Sequence, residues 1–227
     1  MIPSPENPLV VAIDVSELGR AESLARAVGP AAGMVKVGLE LFTAHGPESV
    51  RRIRPIAPVL LDLKLHDIPN TVERAARNAA RLGVAMLTVH AMGGEAMVAA
   101  AVRGATQGSE EVGHPPPAVA AVTVLSSLSG EALASPASLA FEARAAGAAG
   151  AVVSGEDVAV VREVTGEEFC LVVPGIRPAG SNGHDQLRIL TPEEALDAGA
   201  DYLVIGRPIT DATDPAAAAR SILATIR

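Results

Sequence analysis

Short apolar runs rich in Val, Ile and Leu recur along the chain, separated by polar stretches that contain its turn residues. Eight stand out: "LVVAID" from Leu9, "MVKVG" from Met34, "PVLLDLK" from Pro58, "AMLTVH" from Ala85, "AVAAVTVL" from Ala118, "GAVVS" from Gly150, "CLVVPG" from Cys170 and "DYLVIG" from Asp201. Each has the length and composition of a strand buried on both faces. The segments between them change period. "SELGRAESLARAVG" places Leu18, Ala21, Leu24, Ala25 and Val28 on one helical stripe, and "NTVERAARNAARLG" does the same with Val72, Ala75, Ala76, Ala79 and Leu82.

The helix boundaries carry their own signals. Asn70 is placed to cap the second of these helices, with Glu73 three residues on as in a capping box, and Gly83 stops it. Thr191 followed by Pro192 opens another helix, and "DPAAAARSILATI" closes the chain in the same manner. The result is eight strands alternating with about eight helices, which predicts a parallel sheet with right-handed crossovers. At 227 residues the expected fold is a single-domain (β/α)8 TIM barrel spanning 1–227. A doubly wound open sheet is the alternative. Two loops are long: "QGSEEVGHPPP" reads as a surface connection. "RPAGSNGHDQ" has the polar, Gly-rich composition of a mobile flap over about 177–186.

Composition narrows the picture further. Hydrophobic residues make up 49% of the chain and aromatics only 2%, so the core must be aliphatic and Ala-rich. A net charge of -8 disfavours a nucleic-acid backbone as partner, because such binding relies on clustered Lys and Arg. The single cysteine, Cys170, excludes an intrachain disulfide and reads as a small buried strand residue. "MIPSPENP" lacks the pattern of a signal peptide, and no apolar run approaches the ~20 residues of a membrane span. The expectation is a soluble, cytoplasmic protein.

Polar residues gather where such a barrel keeps its active site, at the C-terminal ends of the strands. The first run ends in Asp14 and the second carries Lys36. The third, "LLDLKLHDIPNT", carries Asp62 and Lys64 with Asp67 just beyond. The fourth ends in His90, the fifth run leads to Thr123 and Ser126, and the last two end in "PGIR" and "IGR". Alternation along the third strand puts Asp62, Lys64 and His66 on one face and Leu61, Leu63 and Leu65 on the other. Lys36, Asp62, Lys64 and Asp67 then form an array of alternating sign. An internal salt-bridge network is the structural alternative, but buried ion pairs seldom add much stability. His66 and His90 fit better as hydrogen-bonded structural histidines. The two Gly-Arg strand ends fall where barrels commonly bind phosphate. Arg177 and Arg207 would supply bidentate donors there and Gln186 an amide.

Three chemistries compete for this array. A divalent metal would be repelled by two interleaved lysines. A Schiff-base aldolase needs a neutral amine, whereas aspartates on either side of Lys64 favour its charged form. A fixed ammonium is a proton donor and stabilises a developing carbanion. The array therefore favours acid catalysis without metal or imine.

The run "DLKLHDIPNT", together with "VAIDV", "VKVG", "AVTVLSSL", "PGIRP", "HDQ" and "YLVIGRPIT", resembles the orotidine 5'-phosphate decarboxylases, in order and over nearly the whole chain. The resemblance implies a (β/α)8 homodimer that converts orotidine 5'-monophosphate to UMP and CO2 without a cofactor, the last step of de novo UMP synthesis. It also assigns roles. Lys64 would protonate C6 of the pyrimidine and Asp62 would face the substrate carboxylate. Lys36 would bond Asp62 and the ribose. Asp67 would complete the array from the other subunit, with Ile68 and Thr71. Asp14 would hold a ribose hydroxyl, and Ser126 would contact the base with Thr123 nearby. Gln186, Gly206 and Arg207 would take the phosphate, and Arg177 would anchor the flap. A metal-dependent sugar-phosphate decarboxylase or aldolase and a non-catalytic phosphate-binding barrel are the competing classes.

Overall fold

Eight parallel strands, paired in sequence order, close into a barrel when the first pairs with the last. The computed structural model describes residues 6–124, 134–177 and 190–226. The elements run β1 (Leu9–Ile13), α1 (Leu18–Val28), β2 (Met34–Gly38), α2 (Leu39–His45), α3 (Pro47–Ile53), β3 (Val59–Leu65), α4 (Pro69–Arg81), β4 (Met86–His90) and α5 (Gly94–Glu110). They continue with β5 (Ala118–Val122), α6 (Pro136–Ala145), β6 (Gly150–Val152), α7 (Val158–Thr165), β7 (Cys170–Pro174), α8 (Pro192–Asp197), β8 (Tyr202–Ile205), α9 (Arg207–Thr210) and α10 (Pro215–Thr225). All eight predicted strands are present. The alternation is looser than expected, because β2 and β8 are each followed by two helices. At α2–α3 the break falls on Gly46, whose φ of +56° is open to glycine and strained for other residues.

The near-continuous apolar runs follow from two-sided burial. One set of side chains packs under the helices; the other fills the barrel. Inside lie Val10, Ala12, Met34, Leu60, Met86, Ala120, Cys170, Val172, Tyr202 and Val204. Aliphatic and sulfur-containing side chains fill this space, with Tyr202 as its one aromatic. Cys170 is a free, buried thiol in this layer, as its place in the sequence suggested, and burial first of all pushes its pKa up.

Two residues further along the same inward rows, the character changes. Met34 gives way to Lys36, Leu60 to Asp62 and Met86 to Thr88. The floor is aliphatic and the mouth is ionic, and a period of two residues joins them.

Helix α4 starts differently from the expectation. Its N-cap is Ile68, with Pro69 in the first turn, and Asn70 lies inside the helix without capping it. Proline at the start fixes the entry, so the asparagine is displaced inward. Thr191 does form a capping box with Glu194, and the Asp214 side chain caps α10 by accepting from the Ala217 N–H. Helices α4 and α5 approach closely at Gly104 and Gly108, where an added methyl would overlap the carbonyls of Glu73 and Arg77. Among the described residues, no helix is long and apolar enough to cross a membrane.

Candidate active site

A cavity of about 340 Å³ opens at the C-terminal mouth of the barrel. Its walls differ. Strands β2 to β4 contribute Lys36, Asp62, Lys64 and Thr88, with Asp14 just past β1. Strands β5 to β7 contribute Val122, Val152, Val172 and Pro174, with Val124 beyond β5 and Ser154 beyond β6. The turns after β7 and β8 contribute Gly175, Arg177, Gly206 and Arg207. The volume falls within the range of small-molecule sites.

The ionic wall is tightly connected. Lys64 Nζ donates to both oxygens of Asp62 at 2.8 Å. Lys36 Nζ donates to Asp14 Oδ1 at 2.8 Å and stands 3.6 Å from Asp62 Oδ2. Gly38 leaves room for this, because a Cβ there would come within 2.9 Å of both the Asp14 carboxylate and the Lys36 ammonium. Burial of Asp62 by itself would raise its pKa. The positive charges of Lys36 and Lys64, with hydrogen bonds from Lys64 and Thr88, outweigh burial and hold the carboxyl below the usual carboxylate range. The charges on the strand satisfy one another, yet they still face a cavity.

Lys64 also has an unusual backbone. Its φ of +50° is the one left-handed non-glycine value among the described residues. The β3–β4 register shifts between Leu61 and Leu65, at this point. Buried Thr88 bridges the irregularity: its hydroxyl accepts from the Lys64 N–H at 2.9 Å and donates to Asp62 Oδ1 at 2.9 Å. One side chain therefore fixes both the base of the lysine and the carboxylate it meets. In sequence, Thr88 is an ordinary strand threonine.

The expected site residues separate into groups. Asp14, Lys36, Asp62, Lys64, Arg177, Gly206 and Arg207 share the cavity. Asp67, Ile68 and Thr71 do not line it within this chain; they are exposed on the rim, where Asp67 Oδ1 accepts from the Ile68 N–H at 2.7 Å. Thr123 is turned away, because it follows inward-facing Val122 by one residue. It is fully buried, and its hydroxyl donates to the Val152 carbonyl at 3.0 Å. Ser126 and Gln186 lie outside the described residues. His66 stacks on His90 with ring centroids 5.2 Å apart, beside the cavity and not in it. His90 Nδ1 accepts from the Met92 N–H at 3.4 Å. Burial, then the proximity of His66 and Lys64, lowers the His90 pKa.

Fold and site together define a (β/α)8 barrel whose mouth has an aspartate–lysine network on one side and glycine–arginine turns suited to an anion on the other. The chain belongs to the orotidine 5'-phosphate decarboxylase / HUMPS family, whose sequence profile matches residues 7–222. It is 50% identical over 230 residues to the orotidine 5'-phosphate decarboxylase of Moorella thermoacetica, covering 96% of this chain and 91% of that relative. With the enzyme of that name from Anaeromyxobacter sp. (strain K) it shares 52% identity over 231 residues, covering 97% and 98%. The crystal structure of orotidine 5'-phosphate decarboxylase from Lactobacillus acidophilus superposes with a TM-score of 0.85 at 36% identity, covering 98% of this chain and all of that one.

Proposed function

We propose that this protein is a carboxy-lyase that converts orotidine 5'-monophosphate to UMP and CO2 in pyrimidine biosynthesis, with Lys64 as the proton donor. The observation that carries the proposal is the Lys64–Asp62 pair, held by Thr88 and facing a cavity between an apolar wall and two glycine–arginine turns. The family membership and the names of its relatives point to the same reaction.

The chemistry requires the C6–carboxylate bond to break and its electron pair to remain on C6. Lys64 Nζ stands ready to stabilise that pair and then deliver a proton to it, and water restores the proton to the lysine. Asp62 faces the substrate carboxylate. Two like charges at ~4 Å repel by about 4 kcal/mol at an effective dielectric of about 20, which limits this contribution to about 10³ in rate. The larger share therefore falls to carbanion stabilisation by Lys64. Phosphate binding energy, used to exclude water, adds to it. Gly206, Arg207 and Arg177 form the phosphate end, with Gln186 as a further donor and Ser126 at the base. Asp14 and Lys36 hold the ribose. The expected closing segment over 177–186 lies outside the described residues after Arg177, whose backbone N–H donates to the Leu190 carbonyl at 3.1 Å.

Asp67, Ile68 and Thr71 fit a second role, completing the cavity of a partner subunit in a homodimer. Their exposure supports this. So does the presence of Leu39, Ile68 and Met92, 54%, 65% and 48% exposed, just past the ends of three consecutive strands. The reading carries no cofactor and places the enzyme in the cytoplasm. The test is UMP formation from orotidine 5'-monophosphate by purified protein in EDTA. Turnover unaffected by the chelator is expected; turnover that requires added divalent metal would favour the sugar-phosphate chemistry of the same family.

A further inference from the structure

Among the described residues, one buried side-chain polar atom has no hydrogen-bond partner: Ser154 Oγ. Ser154 is 4% exposed and lines the cavity. Its placement follows from strand parity. Val152 faces inward at the end of β6, Val153 packs into the outer shell, and Ser154 turns inward again. A local partner was within reach, because Ser154 stands at the N-cap of the 3₁₀ turn Gly155–Asp157. It makes no side-chain cap bond there, whereas the Ser135 and Thr191 side chains cap their helices. An unpartnered buried hydroxyl costs stability, and native structures keep few of them without a functional reason.

The surroundings indicate what would satisfy it. Val122, Val124, Val152 and Val172 form an apolar wall fit for the face of a flat ring. Lys64 stands across the cavity on β3, and the glycine–arginine turns lie after β7 and β8. A nucleotide with its phosphate at those turns and C6 at Lys64 carries its base along the valine wall. The base then presents one polar edge, the C2 carbonyl, N3–H and C4 carbonyl, with more hydrogen-bonding positions than the contact proposed for Ser126 would fill. This edge mixes acceptors with a donor, and a serine hydroxyl can act as either.

We infer that Ser154 is a substrate-positioning and specificity residue whose hydroxyl hydrogen-bonds the imide edge of the pyrimidine. The inference rests on the proposed nucleotide reading of the cavity and goes beyond it by assigning base recognition to β6. A hydroxyl there favours bases that present a matching donor or acceptor and leaves a mismatched one with an unpaired polar group.

The test compares UMP with ribose 5-phosphate, which lacks the base, by calorimetric titration of the wild-type protein and of Ser154→Ala and Ser154→Thr. Thermal midpoints are recorded for all three. The alanine variant is expected to bind UMP about tenfold more weakly, the upper range for one neutral hydrogen bond. Ribose 5-phosphate binding should stay within about twofold. The thermal midpoint should be unchanged or higher, because the removed hydroxyl had no partner. Threonine, which keeps the hydroxyl, should recover part of the UMP affinity. An alanine variant with an unchanged ratio of UMP to ribose 5-phosphate affinity would overturn the inference, whether or not its stability falls. A wild-type protein that binds ribose 5-phosphate as tightly as UMP would overturn the nucleotide reading, and the inference with it.

Discussion

Thr88 holds two groups of the site with one hydroxyl, and that makes it the most informative single residue outside the charged array. Thr88→Val keeps the shape and removes both bonds. The Asp62 carboxylate then loses a donor, and a left-handed lysine backbone loses its acceptor. Hydrogen bonds to charged groups are worth about 1.5–3 kcal/mol, so kcat should fall about 10- to 100-fold with KM little changed. Steady-state kinetics decide this, and an unchanged kcat would show that the geometry of Lys64 does not depend on Thr88. Asp62 makes a pH prediction. Its carboxyl titrates lower in the folded protein than in the unfolded chain. Its stabilising effect is therefore complete above the unfolded value of about 3.9 and is lost as pH falls through the lower folded value. The stability gap between wild type and Asp62→Asn should be flat from about pH 5 to 8 and shrink below about pH 4, as read by denaturant titration. The charged residues were legible in sequence because lysines and aspartates stand out on aliphatic strands. Thr88 and Ser154 were not, because threonine in a strand is ordinary β propensity and serine after one is ordinary turn chemistry. Thr123 is a polar residue at the expected strand end whose direction the motif did not give: at a strand end, a single residue separates the cavity face from the helix face.

At the scale of elements, α4 follows directly on the strand that carries Asp62 and Lys64; of the rim residues, Asp67 and Ile68 lead into it and Thr71 stands in its first turn. Its seat against α5 depends on Gly104 and Gly108. Arg77 and Arg81 of α4 both pair with Glu111 just past α5, and Arg103 pairs with Glu73 at 2.8 Å. These ion pairs are exposed and contribute little each; the close backbone approach decides the packing. Gly104→Ala should destabilise the protein by about 3 kcal/mol, lowering Tm by roughly 6–12 °C. A scanning calorimetry trace with Tm within a degree of wild type would mean that the helices separate easily. The strands and the barrel closure were readable from eight aliphatic runs and the period change between them. The start of α4 was not: Asn70 and Glu73 form a recognisable pair, but Pro69 takes the first helical turn ahead of them. The α4–α5 contact was hidden as well, since two glycines within a helix read locally as weak helix formers.

For the molecule as a whole, the cavity of one chain holds three charges of the expected array, and Asp67 lies on the rim outside it. A shared site predicts complementation. Mixed dimers of Asp67→Ala and Lys64→Ala contain one site that lacks both residues and one that lacks neither. Such mixtures should regain up to about half of wild-type activity per hybrid dimer, although each parent is inactive. The lack of any recovery after subunit exchange, confirmed by mass spectrometry, would place Asp67 in its own chain's site. Strand periodicity could not have separated these cases, because it does not encode the position of a second subunit; the shared site was implied only by the family resemblance of the run "DLKLHDIPNT".

In the proposed reaction Lys64 delivers the proton that replaces CO2. A single turnover of orotidine 5'-monophosphate in D2O by wild type and Lys64→Ala, with UMP binding measured on both, tests this proton transfer. Wild type should release UMP carrying deuterium at C6. The variant should bind UMP within a few-fold of wild type while forming it slower by about 10⁴ or more. A variant that still turns over within about tenfold of wild type would show that another group is the donor.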